Sequence, residues 1–257
     1  MRITILTLFP EMFDGILQNS IIKRALAKEI VDIKIVNIRD YTLDKYGRVD
    51  TPPIGGNPGL VMKCQPIVDA IRKNDGDNCF KLLMSPRGNT YNQEYAHELL
   101  NLNKDIMIVC GHYEGVDERV NNYVDQLVSI GDFILTGGEI PAMAITDSLV
   151  RLIDGAIAKE STIEESFENK LLEYPQYTEP YDFEGHKVPD ILFTGNHEAI
   201  RKYRLRESLY LTRKYRPDLF SKYQLNKEEK KLLQELDDGI EPKWLTDALK
   251  KGKKFLK

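Results

Sequence analysis

The sequence lacks the features that mark secreted, membrane-spanning and disulfide-bonded proteins. No run approaches the roughly 18 apolar residues that a membrane helix needs, and the first apolar run is broken by Pro10 and Glu11, so it is too short for a signal peptide. Only three cysteines occur, and they are far apart and form no CxxC pair: Cys64, Cys79 and Cys110. This usage fits a reducing compartment. We therefore expect a soluble, cytoplasmic protein that does not contact a membrane.

The familiar nucleotide-binding motifs are also missing. No GxGxxG occurs, and residues 55–63 (GGNPGLVMK) do not satisfy GxxxxGK[ST], because Lys63 does not follow the second glycine of the pattern. A Rossmann dinucleotide fold and a P-loop enzyme are therefore not expected. The chain has 36 basic and 40 acidic residues, a net charge of -4, which argues against nucleic-acid binding over the whole surface but allows a local basic patch.

What the sequence does contain is an alternation of short apolar segments and helical patterns. With 257 residues, 42% of them hydrophobic, the chain is long enough for a sizeable core. Strands alternating with helices predict an α/β fold with a mostly parallel sheet. After residue 160 the pattern changes to an irregular acidic and aromatic segment and then, from Asn196, to helices. We predict strands at residues 1–9, 31–38, 80–84, 106–110, 128–130 and 133–135.

Three glycine-containing segments follow predicted strands: SPRG (85–88), GHYEG (111–115) and LTGGEIP (135–141). In an open parallel sheet, ligands bind outside the carboxyl ends of the strands, so these segments predict a ligand site at one edge. Glycine lacks a Cβ and lets the backbone approach a ligand closely. The alternative for residues 129–141 is a buried strand, Phe133 to Leu135, between two ordinary turns.

GHYEG by itself leaves two interpretations open. It is either a ligand loop, in which glycine amides bind a carboxylate or a sugar and Glu114 binds hydroxyl groups or a cation, or a surface turn with solvated His112 and Glu114. Histidine is attractive as a general base, because its unperturbed pKa is about 6.5. A lone histidine in a turn is more often structural, so we do not assign catalysis to His112.

The segment 199–216 concentrates positive charge on an otherwise acidic chain. It holds seven basic residues against one acid, interleaved with Tyr203, Tyr210 and Tyr215. Basic side chains neutralise phosphates and tyrosines stack on unpaired bases, so RNA binding is favoured over a solvated helix face. The predicted RNA-binding residues are Arg201, Lys202, Arg204, Arg206, Arg213, Lys214 and Arg216.

With these segments in order, the chain resembles the bacterial tRNA (guanine-37-N1)-methyltransferase family nearly from end to end. The matching motifs are LFPEMF (8–13), GGNPGLVMK (55–63), SPRG (85–88), CGHYEGVDERV (110–120), SIGDFILTGGEIPAM (129–143), YPQYTEP (174–180), VPDILFTGNHEAI (188–200) and KYRPDL (214–219). The resemblance implies an α/β domain with a deep trefoil knot of the SPOUT class, followed by a small all-helical C-terminal domain. It implies a knotted S-adenosylmethionine-binding catalytic domain at 1–160, a linker at 161–173 and a helical tRNA-binding domain at 174–257.

The resemblance also implies S-adenosylmethionine as methyl donor, tRNA as substrate, and an obligate homodimer whose active site is shared between subunits. Assistance by magnesium is left open, and no metal-ligand set is predicted. The positions that match the donor-binding motifs are Pro86, Gly111, Tyr113, Glu114, Gly115, Ser129, Ile130, Gly131, Asp132, Phe133, Ile134, Leu135, Gly137, Gly138 and Pro141.

The catalytic roles implied by the resemblance fall on Glu165 and Arg151. A carboxylate is needed to remove the proton from N1 of guanine, and an arginine to stabilise the charge that develops on O6. Glu165 matches the position of the family's catalytic aspartate, and Glu164 is the substitute if the alignment slips by one. From the residues alone, Glu164 and Glu165 also fit a solvated acidic linker, and Arg151 is either surface-facing or paired at a site.

Two residues depart from the family pattern, and two other functions remain open. Glutamate replaces aspartate at Glu165, and Asn57 stands where the family usually has a third glycine. Asparagine tolerates left-handed backbone geometry better than most residues. The alternative functions are a knotted ribose 2′-O-methyltransferase and a catalytically silent RNA-binding relative.

Overall fold

A computed structural model of the protein describes residues 1–158 and 165–252. The chain divides into two compact units, Met1–Thr162 and Ile163–Lys257. Across the described ranges, every helix is too short or too polar to cross a membrane.

The first unit is built on a parallel sheet. In chain order its elements are β1 (Arg2–Thr7), α1 (Asp14–Leu17), α2 (Ser20–Ala27), β2 (Asp32–Asn37), β3 (Asp50–Thr51), β4 (Val61–Met62), α3 (Cys64–Lys73), β5 (Cys79–Thr90), α4 (Gln93–Asn101), β6 (Asp105–Val109), β7 (Gln126–Ser129) and α5 (Glu139–Leu152). Short 3-10 helices lie at Pro10–Phe13, Ile38–Tyr41 and Glu118–Tyr123. Five strands pair in parallel in the order β2-β1-β6-β5-β7, and β3 and β4 form a separate antiparallel pair.

Apolar side chains cover both faces of this sheet, as is usual where helices pack on both sides of parallel strands. In β1, Ile3 and Ile5 belong to one buried cluster and Leu6 to the other, because successive side chains of a strand point to opposite faces. In β6, Ile108 and Val109 divide in the same way. The mostly parallel α/β sheet predicted from the sequence is thereby confirmed. The trefoil knot stays a prediction.

β5 continues further than its apolar run predicts. Its pairing with β7 shifts register between Met84 and Asn89, so SPRG lies inside an irregular part of the strand and does not form a separate loop. Gly88 is pressed against the β7 backbone, and a Cβ there would collide with the Val128 nitrogen. This register shift resembles a β-bulge, a feature that commonly bends the strand in which it occurs.

The strand predicted at residues 133–135 is wrong. The sheet ends at Ser129, whose Oγ accepts a hydrogen bond from the Gly131 nitrogen at 3.2 Å, and Gly131 has a positive φ of 148°. The chain therefore turns away from the sheet, and the side chains of Phe133 and Ile134 are 54% and 81% exposed. Apolar character was misleading here because it does not distinguish a strand in the core from the wall of a pocket.

The second unit is helical, as predicted, with one small addition. Its helices are α6 (His197–Tyr215), α7 (Pro217–Phe220), α8 (Lys227–Asp237) and α9 (Lys243–Gly252), with a 3-10 helix at Asp190–Phe193. The addition is a hairpin of β8 (Asp182–Phe183) and β9 (His186–Lys187). Glu184 and Gly185 both have positive φ, as the tight turn of a two-residue hairpin requires.

Residues 165–173, which lie inside the predicted linker, contribute to the core of the second unit. Leu171 is buried against Leu209 of α6 and Leu233 of α8. The Leu172 nitrogen donates a hydrogen bond to the buried Thr212 hydroxyl at 2.8 Å. These contacts fix the segment that follows Glu165 onto α6.

Candidate active site

SPRG, in the irregular part of β5, and the glycine-containing segments that follow β6 and β7 enclose one pocket of about 570 Å³ in the first unit. This is within the usual size range of ligand pockets, about 300–1,000 Å³. Apolar side chains and backbone polar groups share its wall. The lining residues are Leu83–Arg87, Gly111–Val116, Glu118, Val128–Gly131, Phe133–Gly138 and Pro141.

Close backbone contact between two of these segments depends on Gly138. Its nitrogen donates a hydrogen bond to the Gly111 carbonyl at 2.8 Å. A Cβ on Gly138 would lie 2.8 Å from the Cα of Cys110 and 3.0 Å from the Gly111 nitrogen. Only glycine therefore allows the start of α5 to rest on the end of β6.

The GGNPG loop joins the same edge through GHYEG. Glu114 donates its backbone N–H to Leu60 at 3.0 Å, and the Glu114 side chain packs on Gly59, where it leaves no space for a Cβ. Gly55, Gly56 and Gly59 have positive φ, whereas Asn57 does not. Asparagine in place of a third glycine is therefore compatible with this turn, because position 57 does not require left-handed geometry.

A buried polar cluster lies behind the pocket. Glu139 is 1% exposed and accepts a hydrogen bond from the Thr7 hydroxyl at 2.8 Å. Its other carboxylate oxygen lies 3.9 Å from Nδ1 of His112, which is buried without a hydrogen-bond partner among the described residues. Burial, followed by the charge of Glu139, raises the pKa of the neighbouring Cys110 thiol. Thr7, His112 and Glu139 thus connect β1, GHYEG and α5.

The structure brings together nearly all the positions predicted to bind the donor. Every one of them lines the pocket except Asp132, which is exposed and lies outside the described lining. Sequence reasoning missed Arg87 and Glu118, which line the pocket and form an ion pair at 2.7 Å. This pairing lowers the pKa of Glu118. Arg87 belongs to the motif SPRG and Glu118 to GVDERV, so these two motifs could have identified them as site residues.

The two predicted catalytic residues occupy different units. Arg151 is in the last turn of α5 and is half-buried. Glu165, also half-buried, lines a cavity of about 620 Å³ in the second unit together with Arg201, Arg204 and His197. Glu164 lies outside the described residues.

Comparison with known proteins identifies the family. The model of the family described as tRNA (Guanine-1)-methyltransferase TrmD matches residues 1–222. The chain belongs to this family. It is 52% identical over 242 residues to the tRNA (guanine-N(1)-)-methyltransferase of Clostridium botulinum strain Langeland, covering 93% of this chain and 100% of that protein. It is 54% identical over 235 residues to the proteins of the same name from C. botulinum strain Eklund 17B and Clostridium beijerinckii, covering 91% of this chain and 98% of each relative.

For a tRNA (guanine-1)-methyltransferase the methyl donor is S-adenosylmethionine, and the pocket fits it. Val128, Ile130, Leu135 and Pro141 give the pocket apolar walls of the kind that suits an adenosine, and its glycines let the backbone approach a ligand closely. Within residues 1–158 and 165–252, no group of three or more His, Cys, Asp or Glu side chains is arranged to hold a metal ion.

The basic residues of segment 199–216 are less available to bind RNA than the sequence suggests. Five of its cations have carboxylate partners: Arg201 with Glu198 and Glu228, Lys202 with Glu198, Arg206 with Glu207, Arg213 with Asp237, and Arg216 with Asp218. Arg204 lies over the Tyr174 ring at 4.6 Å. Lys214 lies over Tyr210 and Tyr215 and has no carboxylate within 4.0 Å in the described part of the chain.

Proposed function

We propose that this protein transfers a methyl group from S-adenosylmethionine to N1 of the guanosine at position 37 of tRNA, directly 3′ of the anticodon. The observation that carries the proposal is the pocket formed by SPRG, GHYEG and LTGGEIP in a chain of the tRNA (guanine-1)-methyltransferase family. The pocket holds the donor through glycine backbone groups and apolar walls. When bound, the donor supplies an electrophilic methyl group on a sulfonium sulfur.

Glu165 is the proposed general base. N1 of guanine carries a proton at neutral pH, so methylation requires that the N1–H bond breaks and the proton moves to a carboxylate oxygen within hydrogen-bond reach. Glu165 lines a cavity together with His197 and Arg204, so its carboxylate borders space that a nucleobase can enter. The residues that support this role for Glu165 all belong to the second unit.

Arg151 is the proposed partner of guanine O6. As N1 loses its proton, negative charge spreads to O6, where a fixed guanidinium stabilises the transition state. Arg151 stands in the last turn of a helix whose other end, at Gly138, contacts the donor pocket. A rigid helix of this kind holds the guanidinium in a constant position relative to the donor loops.

The protein is further proposed to act as a cytoplasmic homodimer with a composite active site. Exposed apolar side chains at the start of α5 and the preceding loop, Ile134 and Ile140, provide surface for contact between the two copies. Light scattering on the purified protein is expected to give twice the monomer mass.

The function is tested by methyl transfer from labelled S-adenosylmethionine to unmodified tRNA. We expect one methyl group per tRNA, located on the base of guanosine 37, and no transfer when that guanosine is replaced. A methyl group on the ribose would identify the 2′-O-methyltransferase alternative. Absence of both transfer and calorimetric donor binding would favour a silent RNA-binding relative.

Lys214 is expected to contribute more to tRNA affinity than the ion-paired cations of α6. In Lys214→Gln, the slope of log K against log salt concentration should decrease by about one, because one phosphate contact is lost. The matched control is Arg213→Gln with Asp237→Asn, which removes the 2.6 Å ion pair without changing net charge. Fluorescence anisotropy over a salt series measures both. Equal slopes for Lys214→Gln and the wild type would contradict the assignment.

A further inference from the structure

Glu139 is a buried acidic side chain that the proposed reaction does not use. It is the first residue of α5, and its carboxylate accepts a hydrogen bond from the neutral hydroxyl of Thr7 and lies 3.9 Å from the imidazole of His112. Among residues 1–158 and 165–252, no Lys or Arg nitrogen lies within 4.0 Å of this carboxylate. The N-terminus of α5 offsets part of its charge, since helix N-termini favour anions. The carboxylate still lacks a cationic partner of the usual kind for a buried acid.

The carboxylate lies directly behind the wall of the donor pocket. Gly137 lines the pocket, and a Cβ on Gly137 would collide with Oε2 of Glu139 and come within 2.5 Å of Nδ1 of His112. His112 also lines the pocket, and its backbone forms an isolated antiparallel bridge with Gly137. The Gly137 backbone and the His112 imidazole therefore separate the buried Glu139 carboxylate from the cavity.

The chemistry of the donor gives this charge a function. S-adenosylmethionine carries a positive charge on sulfur, whereas S-adenosylhomocysteine, which remains after methyl transfer, is a neutral thioether. An anion in a partly dehydrated site attracts a cation more strongly than water-exposed charges do.

We infer that Glu139 is a specificity-determining residue that makes the pocket prefer the cationic donor over its neutral product. Glu139 acts across the Gly137 wall and does not line the pocket itself. The same preference assists turnover, because the ligand loses its attraction to the site once the methyl group has left. This inference rests on the proposed function, since it takes S-adenosylmethionine as the ligand of the pocket.

The test is the ratio of two affinities in Glu139→Gln, measured by calorimetry without tRNA. Glutamine keeps the shape of the side chain and an oxygen that accepts the Thr7 hydrogen bond. We expect the preference for S-adenosylmethionine over S-adenosylhomocysteine to fall by about tenfold, the order of magnitude of one charge–charge interaction. Glu139→Asp should retain the preference. Asp147→Asn, an exposed position on the same helix, is the matched control and should leave the ratio unchanged.

Two results would overturn the inference. One is an equal loss of affinity for both ligands in Glu139→Gln, which a purely structural role predicts. The other is measured on the wild-type protein. If an analogue with a protonated amine in place of the methylsulfonium binds more weakly than S-adenosylhomocysteine, the inference is wrong. Failure of the wild type to bind S-adenosylmethionine at all would instead refute the proposed function, so the two failures are distinguishable.

Discussion

Replacement of Glu165 by glutamine is expected to lower methyl transfer to tRNA by about 10²–10⁴-fold, the usual contribution of a general base. Glutamine preserves the size of the side chain and cannot accept the N1 proton. Donor affinity should remain at the wild-type level, because Glu165 belongs to the second unit and the donor pocket is built from the first. Single-turnover kinetics with labelled donor and calorimetry measure the two quantities separately.

Glu168→Gln is the matched control for this prediction. Glu168 is a second half-buried carboxylate close in sequence, and it is not part of the described lining of the Glu165 cavity. Its replacement should leave the rate within about twofold of the wild type, as is usual for a change away from the reacting atoms. Full activity of Glu165→Gln would refute the assignment, and loss of activity in Glu164→Gln instead would move the base by one residue.

The second large effect is expected for Gly138→Ala. The added Cβ would meet backbone atoms, the Cα of Cys110 and the nitrogen of Gly111, which cannot rotate away as a side chain can. The contact between α5 and the end of β6 must therefore open, and the 2.8 Å hydrogen bond from Gly138 to Gly111 is lost. We expect donor affinity to fall by more than about tenfold and the free energy of unfolding by about 1–3 kcal/mol.

Gly15→Ala provides the control for this substitution. Apart from its chain neighbours and the backbone of its own helix, no atom in the described part of the chain lies within 4 Å of a Cβ at position 15, and Gly15 is in helix α1. Alanine is preferred over glycine in helices by about 0.5–1 kcal/mol, so this variant should bind the donor normally and unfold at a slightly higher temperature. Normal donor binding by Gly138→Ala would show that the pocket tolerates separation of the two loops.

Elements with a clear apolar period were predictable from the sequence. The segment 31–38 became β2, Asp32–Asn37, and 106–110 became β6, Asp105–Val109, because alternating or fully apolar runs have few other ways to be buried. The strand predicted at 133–135 was wrong because this apolar run is not part of the sheet. Its apolar side chains lie at the wall of a pocket, where local pattern has no distinguishing signature.

Contacts between residues that are far apart in the chain could not be predicted from the sequence. The hydrogen bond from Thr7 to Glu139 spans 132 positions, so nothing local marks either residue as part of a buried cluster. The partners of Arg201 and Arg213 on α8, Glu228 and Asp237, are 27 and 24 positions away. The sequence therefore overestimated the positive charge of segment 199–216, because carboxylates distant in the chain neutralise part of it in the folded protein.

The strand order described above also governs how the first unit folds. β1 lies between β2 and β6, and the pairing of Ile3 with Ile106 joins residues that are about a hundred positions apart. Long-range pairing of this kind must close large loops before it gains stabilising contacts, which makes parallel sheets slow to fold. During synthesis β1 cannot acquire its second neighbour until β6 has been made. The exposed edge of β1 is thus left open to other chains throughout that interval.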